Sequence, residues 1–204
     1  MSSEISQEDY RAFKEFLQDA SGILLGDNKQ YLVKSRLRRI MTENRFNSLG
    51  ELVQRLRKQP RSELRETVID AMTTNETLWF RDTHPFRILE ERLLGEMAAE
   101  SSSQPLRIWS AACSTGQEPY SIAMVIDEYR RRNPGRLRRP VEIIATDVSK
   151  PVVDAAKDGI YELLALGRGL SADRQKHYFT QLPSGSWQVR KEIRDMVTFR
   201  EHNL

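Results

Sequence analysis

The chain has 204 residues, 39% hydrophobic and 30% charged, with a formal net charge of +3. That length holds one large domain or two small ones, and the apolar content is ordinary for a soluble protein. One cysteine excludes an internal disulfide and a cysteine-rich metal site, His84, His177 and His202 show no ligand spacing, and no apolar run is long enough to span a bilayer.

The N-terminus, MSSEISQEDY, is acidic and polar, unlike a secretory signal, so the expected compartment is the cytoplasm. Tyr10, Phe13, Phe16 and Leu17 repeat at helical spacing behind a capping Ser6, and Gly22 ends that helix. Asp27 or Asn28 is placed to cap a second helix reaching about Asn44. Ser48 opens a third that stops at Pro60, and Ser62 opens a fourth with Leu64, Val68, Ile69 and Met72 on one face. Residues 1–72 therefore read as a small all-helical domain. The second helix carries Lys34, Arg36, Arg38 and Arg39 around an apolar stripe of Val33, Leu37, Ile40 and Met41. Arg36 and Arg39 lie on one flank and Lys34 and Arg38 on the other, at 100° per residue. Such a face is either simply solvated or a docking surface for something acidic. No aromatic residues interleave with the charges, which counts against single-stranded nucleic acid.

Residues 71–82, AMTTNETLWFRD, fit neither period. Trp79 and Phe80 are expected to pack and so fix Asn75, Thr77 and Arg81; the plainer alternative is a packed connector with a surface arginine. Thr83 and Pro85 are placed to start a helix to about Glu100, and Ser101–Pro105 reads as a loop. Leu106 and Ile108 alternate as in a short buried strand. Small residues follow from Ser110 to Gly116, and a helix runs from about Gln117 to Arg132. Strand, small-residue turn and helix make the first half of a nucleotide-binding βα unit. Val141–Asp147 reads as a second buried strand ending in a carboxylate, before a helix that starts near Ser149 and Pro151. Asp147 sits where ribose-binding acids stand in such folds, or else caps the helix. Residues 160–196 read as a small β-rich insertion, with Tyr178-Phe179 and Trp187–Val189 as paired strands. Val197–Arg200 is a further strand leading to His202-Asn203-Leu204. Three parallel strands make a sparse sheet, and the domain over 73–204 reads as ending midway.

No G-x-x-x-x-G-K segment and no three-glycine fingerprint are present, so a phosphate cradle is not expected. One glycine, small neighbours and a downstream acid suit a nucleoside ligand without a pyrophosphate, and S-adenosylmethionine is the obvious one. Cys113 inside the turn reads as a nucleophile or, more simply, as a small buried residue.

TTNETLWFRD, SAACSTGQEPYSIA, ATDVS followed by a helix and DGIY, and the terminal F-x-x-x-NL closely resemble the chemotaxis receptor methyltransferases, the CheR family. The likeness covers nearly the whole chain, including SGILLGDNK in the helical part. It implies an α+α/β architecture: an all-helical domain, then a Rossmann-like S-adenosylmethionine-dependent domain with a β-subdomain. It also implies methyl transfer to glutamate side chains on the cytoplasmic helices of chemoreceptors, with S-adenosylhomocysteine as product. Asn75, Thr77 and Arg81 match the segment lining the cofactor and substrate site, and Arg81 matches the proposed catalytic arginine. Glu118 matches the cofactor-contacting acid of the turn, Asp147 the ribose-binding carboxylate, and Asn203-Leu204 the pair beside the adenine. Arg36 and Arg39, with Lys34 and Arg38, become candidates for docking the acidic receptor helices.

The family continues past Asn-Leu with a C-R-N-V-x-I-Y-F-like segment that is not found here. The loop at Leu182–Ser186 is shorter than in members that grip a receptor's tethering peptide, so no such tethering is expected. Neither metal, nucleic acid nor membrane insertion is expected, the expected state is a monomer, and a regulatory cytoplasmic protein is a further candidate partner. The competing reading is a non-catalytic regulatory module on the same fold.

Overall fold

A computed structural model describes residues 5–100 and 104–203, so the expected loop residues Ser101–Ser103 and the site candidate Leu204 lie outside the described residues. The chain divides into a helical unit reaching Thr74 and an α/β unit over Asn75–His202.

The helical unit contains α1 (Gln7–Ser21), α2 (Gln30–Glu43), α3 (Leu49–Lys58) and α4 (Glu63–Met72). Ser6, Ser48 and Ser62 each accept a backbone N–H of the first turn, which satisfies donors the helix itself leaves unpaired. The expected cap on α2 does not form. Lys29 stands at the N-cap without a side-chain bond, and Asp27 instead pairs with Lys14 of α1. The apolar stripes meet in one core of Phe13, Leu17, Leu37, Leu52, Leu56 and Val68, all fully buried. Each such side chain contributes about 1.5–3 kcal/mol by leaving water.

In the α/β unit, β1 (Leu106–Ala111), β2 (Val141–Asp147) and β6 (Val197–Glu201) form a parallel sheet in the order β1-β2-β6. Ile108 stands beside Ile143 and Ala145 beside Phe199. Leu106, Ile143, Ala145, Val197 and Phe199 are buried in one cluster with side chains of α7 (Gln117–Arg132) and α8 (Lys150–Asp158). The strands expected to be buried are buried on that face; the other face differs. There Arg107, Glu142, Thr198 and Arg200 are exposed and Trp109 is 60% exposed. On that face Trp109 and Ile144 are neighbours across β1 and β2 among the charged side chains. Arg107 pairs with Glu142 at 3.0 Å, and Trp109 Nε1 donates to Thr146 Oγ1 at 3.0 Å.

Before β1 the expected single helix is interrupted. α5 (His84–Ile88) passes into a π-helical turn over Leu89–Leu93 and then α6 (Leu94–Ala99). The Leu94 N–H donates to the Leu89 carbonyl, the wider spacing of a π turn. Thr83 gives no side-chain cap and has φ +46°. After α8, β3 (Ile160–Tyr161), β4 (Phe179–Gln181) and β5 (Trp187–Val189) form an antiparallel sheet in the order β3-β5-β4. Short helices α9 (Leu163–Leu166), α10 (Ala172–Tyr178) and α11 (Lys191–Arg194) complete this subdomain, and Tyr178 closes α10 rather than opening a strand. Trp79, 0% exposed, joins the two parts of the core: its ring meets Tyr161 and Phe179 edge-on at 4.9 and 5.2 Å.

Candidate active site

The carboxyl ends of β1 and β2 lie side by side, and the turn after β1 is folded against the end of β2. The Cys113 N–H donates to the Thr146 carbonyl at 2.9 Å. Ala112 and Ser114 adopt φ +55° and +50°, and Gly116 adopts φ +93°. A Cβ on Gly116 would lie 3.0 Å from Ala156 Cβ and 3.1 Å from the Tyr161 hydroxyl oxygen, so both conformation and space require glycine. Tyr161 donates to the Thr115 carbonyl at 2.6 Å, fastening the turn to β3, and Tyr120 of α7 donates to the Ala156 carbonyl at 2.7 Å, joining α7 to α8.

Asp147 is 5% exposed. One carboxylate oxygen accepts the Ser114 N–H at 2.8 Å and the other the Ser149 N–H at 3.0 Å. The carboxylate thus fixes the turn from below. Two of its roughly four lone-pair directions are used, which leaves capacity for a ligand hydroxyl. Ser114 Oγ donates to the Asn75 carbonyl at 2.8 Å, which brings the connector segment to the turn. Glu118 is exposed at the start of α7, and Ser110 Oγ donates to its Oε1 at 2.6 Å, orienting the carboxylate. Ala111 and Ala112 are exposed beside it. A floor of small residues, an oriented carboxylate and a helix N-terminus fit a nucleoside lying across the strand ends.

Asn75 and Thr77 are half-buried and Arg81 is exposed. The Arg81 guanidinium makes one long bond, 3.5 Å to the Glu76 carbonyl, so its fork is available to a carboxylate. Asn203 is exposed and follows His202, whose N–H donates to the Asp147 carbonyl at 2.8 Å. Ser110, Ser114 and Ser149, not among the candidates read from the sequence, are the residues that orient the two candidate acids. Ser110 acts through its hydroxyl, whereas Ser114 and Ser149 reach Asp147 through backbone N–H groups, which no side-chain type announces. Burial and the nearby Asp147 carboxylate push the Cys113 thiol up to about 12, so the buried-residue reading holds over the nucleophile.

On the helical unit, Arg36 is committed to structure. Its Nη1 donates to the carbonyls of Met72 at 2.8 Å and Thr73 at 3.1 Å, and Nη2 to Thr74 Oγ1 at 3.2 Å, capping α4. Arg39 is paired with Glu43 at 2.7 Å on the surface, while Lys34 and Arg38 are exposed and line a recess of about 810 Å³ with Tyr31 and Met41. A second recess of about 360 Å³ lies at Glu128, Arg131, Arg174 and His177, away from the turn. Among the described residues, no group of three or more His, Cys, Asp or Glu could hold a metal ion, and no helix is long and apolar enough to cross a membrane.

Residues 8–73 match a family described as CheR methyltransferase, all-alpha domain, and residues 75–204 match CheR methyltransferase, SAM binding domain. The chain is 53% identical to the chemotaxis protein methyltransferase Cher2 of Pseudomonas putida, over 96% of this chain and 71% of that protein. It is 54% identical to chemotaxis protein methyltransferase 1 of Pseudomonas aeruginosa over the same shares. It is 48% identical to chemotaxis protein methyltransferase 1 of Vibrio cholerae, over 98% of this chain and 72% of the relative.

Proposed function

The chain belongs to the CheR methyltransferase family, whose chemistry is S-adenosylmethionine-dependent methylation in chemotaxis, and from that premise we propose that its methyl acceptors are glutamate side chains on the cytoplasmic helices of chemoreceptors. The observation that carries the reading is the joining of connector, turn and strand ends through Asn75, Ser114 and Asp147. It brings Asn75, six residues before Arg81, to the turn, which supports a role for that segment beside the nucleoside.

Bound S-adenosylmethionine supplies a methyl group on a sulfonium, which leaves as the neutral thioether of S-adenosylhomocysteine. Asp147 and Glu118 would hold ribose and polar groups of the donor, with Asn75, Thr77 and Asn203 as the further candidates around it. Arg81 receives the acceptor carboxylate through its free fork and keeps it ionised and aimed. A carboxylate is already a nucleophile at neutral pH, so no general base is required. One oxygen forms the new C–O bond as the C–S bond breaks, and the acceleration comes chiefly from positioning. The helical unit docks the acidic receptor helix, with Lys34 and Arg38 as the available charges and Arg39 once released from Glu43. These raise the encounter rate in a salt-dependent way.

The test is calorimetric titration of S-adenosylhomocysteine into the chain and into Glu118→Gln, followed by transfer of labelled methyl to a receptor cytoplasmic fragment. Base-labile label on glutamate, released as methanol, is the expected product. Binding without transfer would favour a regulatory module on the same fold. Transfer to a base-stable position would overturn the glutamate assignment.

A further inference from the structure

The strained turn carrying Arg81 is held by a residue of the β-subdomain. Phe80, Asp82 and Thr83 all lie in the left-handed region, at φ +50°, +62° and +46°. Three non-glycine residues so placed within four positions are costly and persist only where the surroundings over-determine them. Phe80 is 5% exposed, and its N–H donates to Ser121 Oγ at 3.2 Å. Phe86 meets its ring edge-on at 5.2 Å. A further contact comes from α10: the Arg174 guanidinium carbon lies 3.8 Å from the Phe80 ring centroid. The same guanidinium donates through Nε and Nη2 to the two carboxylate oxygens of Glu128 on α7, both at 2.9 Å. The Glu128 side chain is 16% and that of Arg174 28% exposed, so the pair is partly withdrawn from solvent.

We propose that Arg174 is a positioning residue for methyl transfer: anchored on Glu128, it presses on Phe80 and thereby fixes the turn that presents Arg81. The proposal rests on the reading of Arg81 given above. A planar guanidinium stacks on a ring and pairs a carboxylate bidentately at the same time, which a lysine ammonium cannot do. The subdomain grips the same segment at a second point. The Trp79 N–H donates to the Arg168 carbonyl at 3.1 Å, and a Cβ on Gly169 would fall 2.0 Å from the Trp79 carbonyl oxygen. The insertion thus holds the segment at Trp79 and at Phe80, while its Tyr161 separately fastens the turn through Thr115.

The experiment compares Arg174→Met, Arg174→Lys, Phe80→Leu and Arg81→Ala with the parent. It measures methyl transfer to a receptor cytoplasmic fragment, S-adenosylhomocysteine affinity, and hydrogen exchange over residues 79–84. Expected for both Arg174 variants and for Phe80→Leu are about a tenfold fall in kcat, affinity for S-adenosylhomocysteine within about twofold of the parent, and faster exchange confined to 79–84. A residue that merely supports the fold would lower affinity and speed exchange across α7 as well, and that result overturns the proposal. Parent kcat and parent exchange in Arg174→Met and Phe80→Leu, with Arg81→Ala slow, overturn it while sparing the reading of Arg81. Parent turnover in Arg81→Ala overturns that reading and this role together. If the parent chain shows no turnover with the fragment, local exchange decides: unchanged exchange over 79–84 overturns the clamp.

Discussion

The carboxylate of Asp147 accepts the Ser114 N–H at 2.8 Å, so the acid at the end of β2 holds in place the turn that follows β1. Its second oxygen holds Ser149, and the group is 5% exposed. Removing it orphans two buried donors. Asp147→Ala is expected to cost about 2–4 kcal/mol of stability and to abolish S-adenosylhomocysteine binding with it. Glu118→Gln, exposed and still able to accept from Ser110, is expected to weaken binding with the melting temperature unchanged. Thermal unfolding beside calorimetry separates the two acids, and equal destabilisation by both would contradict the assignment.

Arg36 and its neighbours on α2 are expected to behave oppositely. Arg36→Met removes the donors that cap α4 and is expected to destabilise the helical unit by about 1–3 kcal/mol. Lys34→Glu with Arg38→Glu is expected to leave thermal unfolding unchanged. The same double variant is expected to slow association with a receptor fragment about tenfold or more and to flatten its dependence on salt. Stopped-flow association at two ionic strengths measures this, and an unchanged salt slope would remove the docking role.

The helices of the first unit are legible in the sequence because their information is local: an apolar period near 3.6, and Ser6, Ser48 and Ser62 at their starts. The strand–turn–helix around Gly116 is legible for the same reason. What stays hidden is long-range. Arg36 carries a solvated-looking charge pattern, yet its acceptors are carbonyls 35 to 37 residues away. Arg174 looks like an ordinary helix charge until it is seen against Phe80. The π turn at Leu89–Leu93 leaves the apolar pattern readable as a single helix, and the failed cap at Asp27 reflects competition from Lys14. Glu118 and Asp147 stand out in the sequence by type and place, but their orientation by Ser110, Ser114 and Ser149 appears only with the chain folded.

Cys113 predicts a pH dependence. Burial raises its pKa in the folded chain to about 12, against about 8.5 for a free thiol in the unfolded chain. Below about 8.5 both forms are protonated and the shift has no effect on stability. Above it the unfolded chain releases a proton that the folded chain retains, so stability falls as pH rises towards about 12. Cys113→Ser is expected to make this decline shallower. In the parent, iodoacetamide at pH 8.5 is expected to modify Cys113 slowly until denaturant is added. Rapid modification of the folded chain would show that the thiol is accessible and ionised.

Two glycines separate strain from collision. Gly185 has φ +92° with nothing within 4 Å of an added Cβ, whereas Gly169 has φ +97° with the Trp79 carbonyl oxygen 2.0 Å away. Alanine at Gly185 meets only the conformational penalty of the left-handed region, about 1–2 kcal/mol. Alanine at Gly169 meets that penalty plus a backbone clash that no side-chain rotation relieves. It must displace the Trp79 peptide, whose N–H is bonded to Arg168 and whose ring is fully buried between Tyr161 and Phe179. Gly169→Ala is therefore expected to destabilise the α/β unit by about 3 kcal/mol or more, at the upper end for single substitutions, while Gly185→Ala lowers the melting temperature only modestly. Chemical denaturation of both variants measures the difference. Equal midpoints would mean that the loop bearing Gly169 does not lie against Trp79.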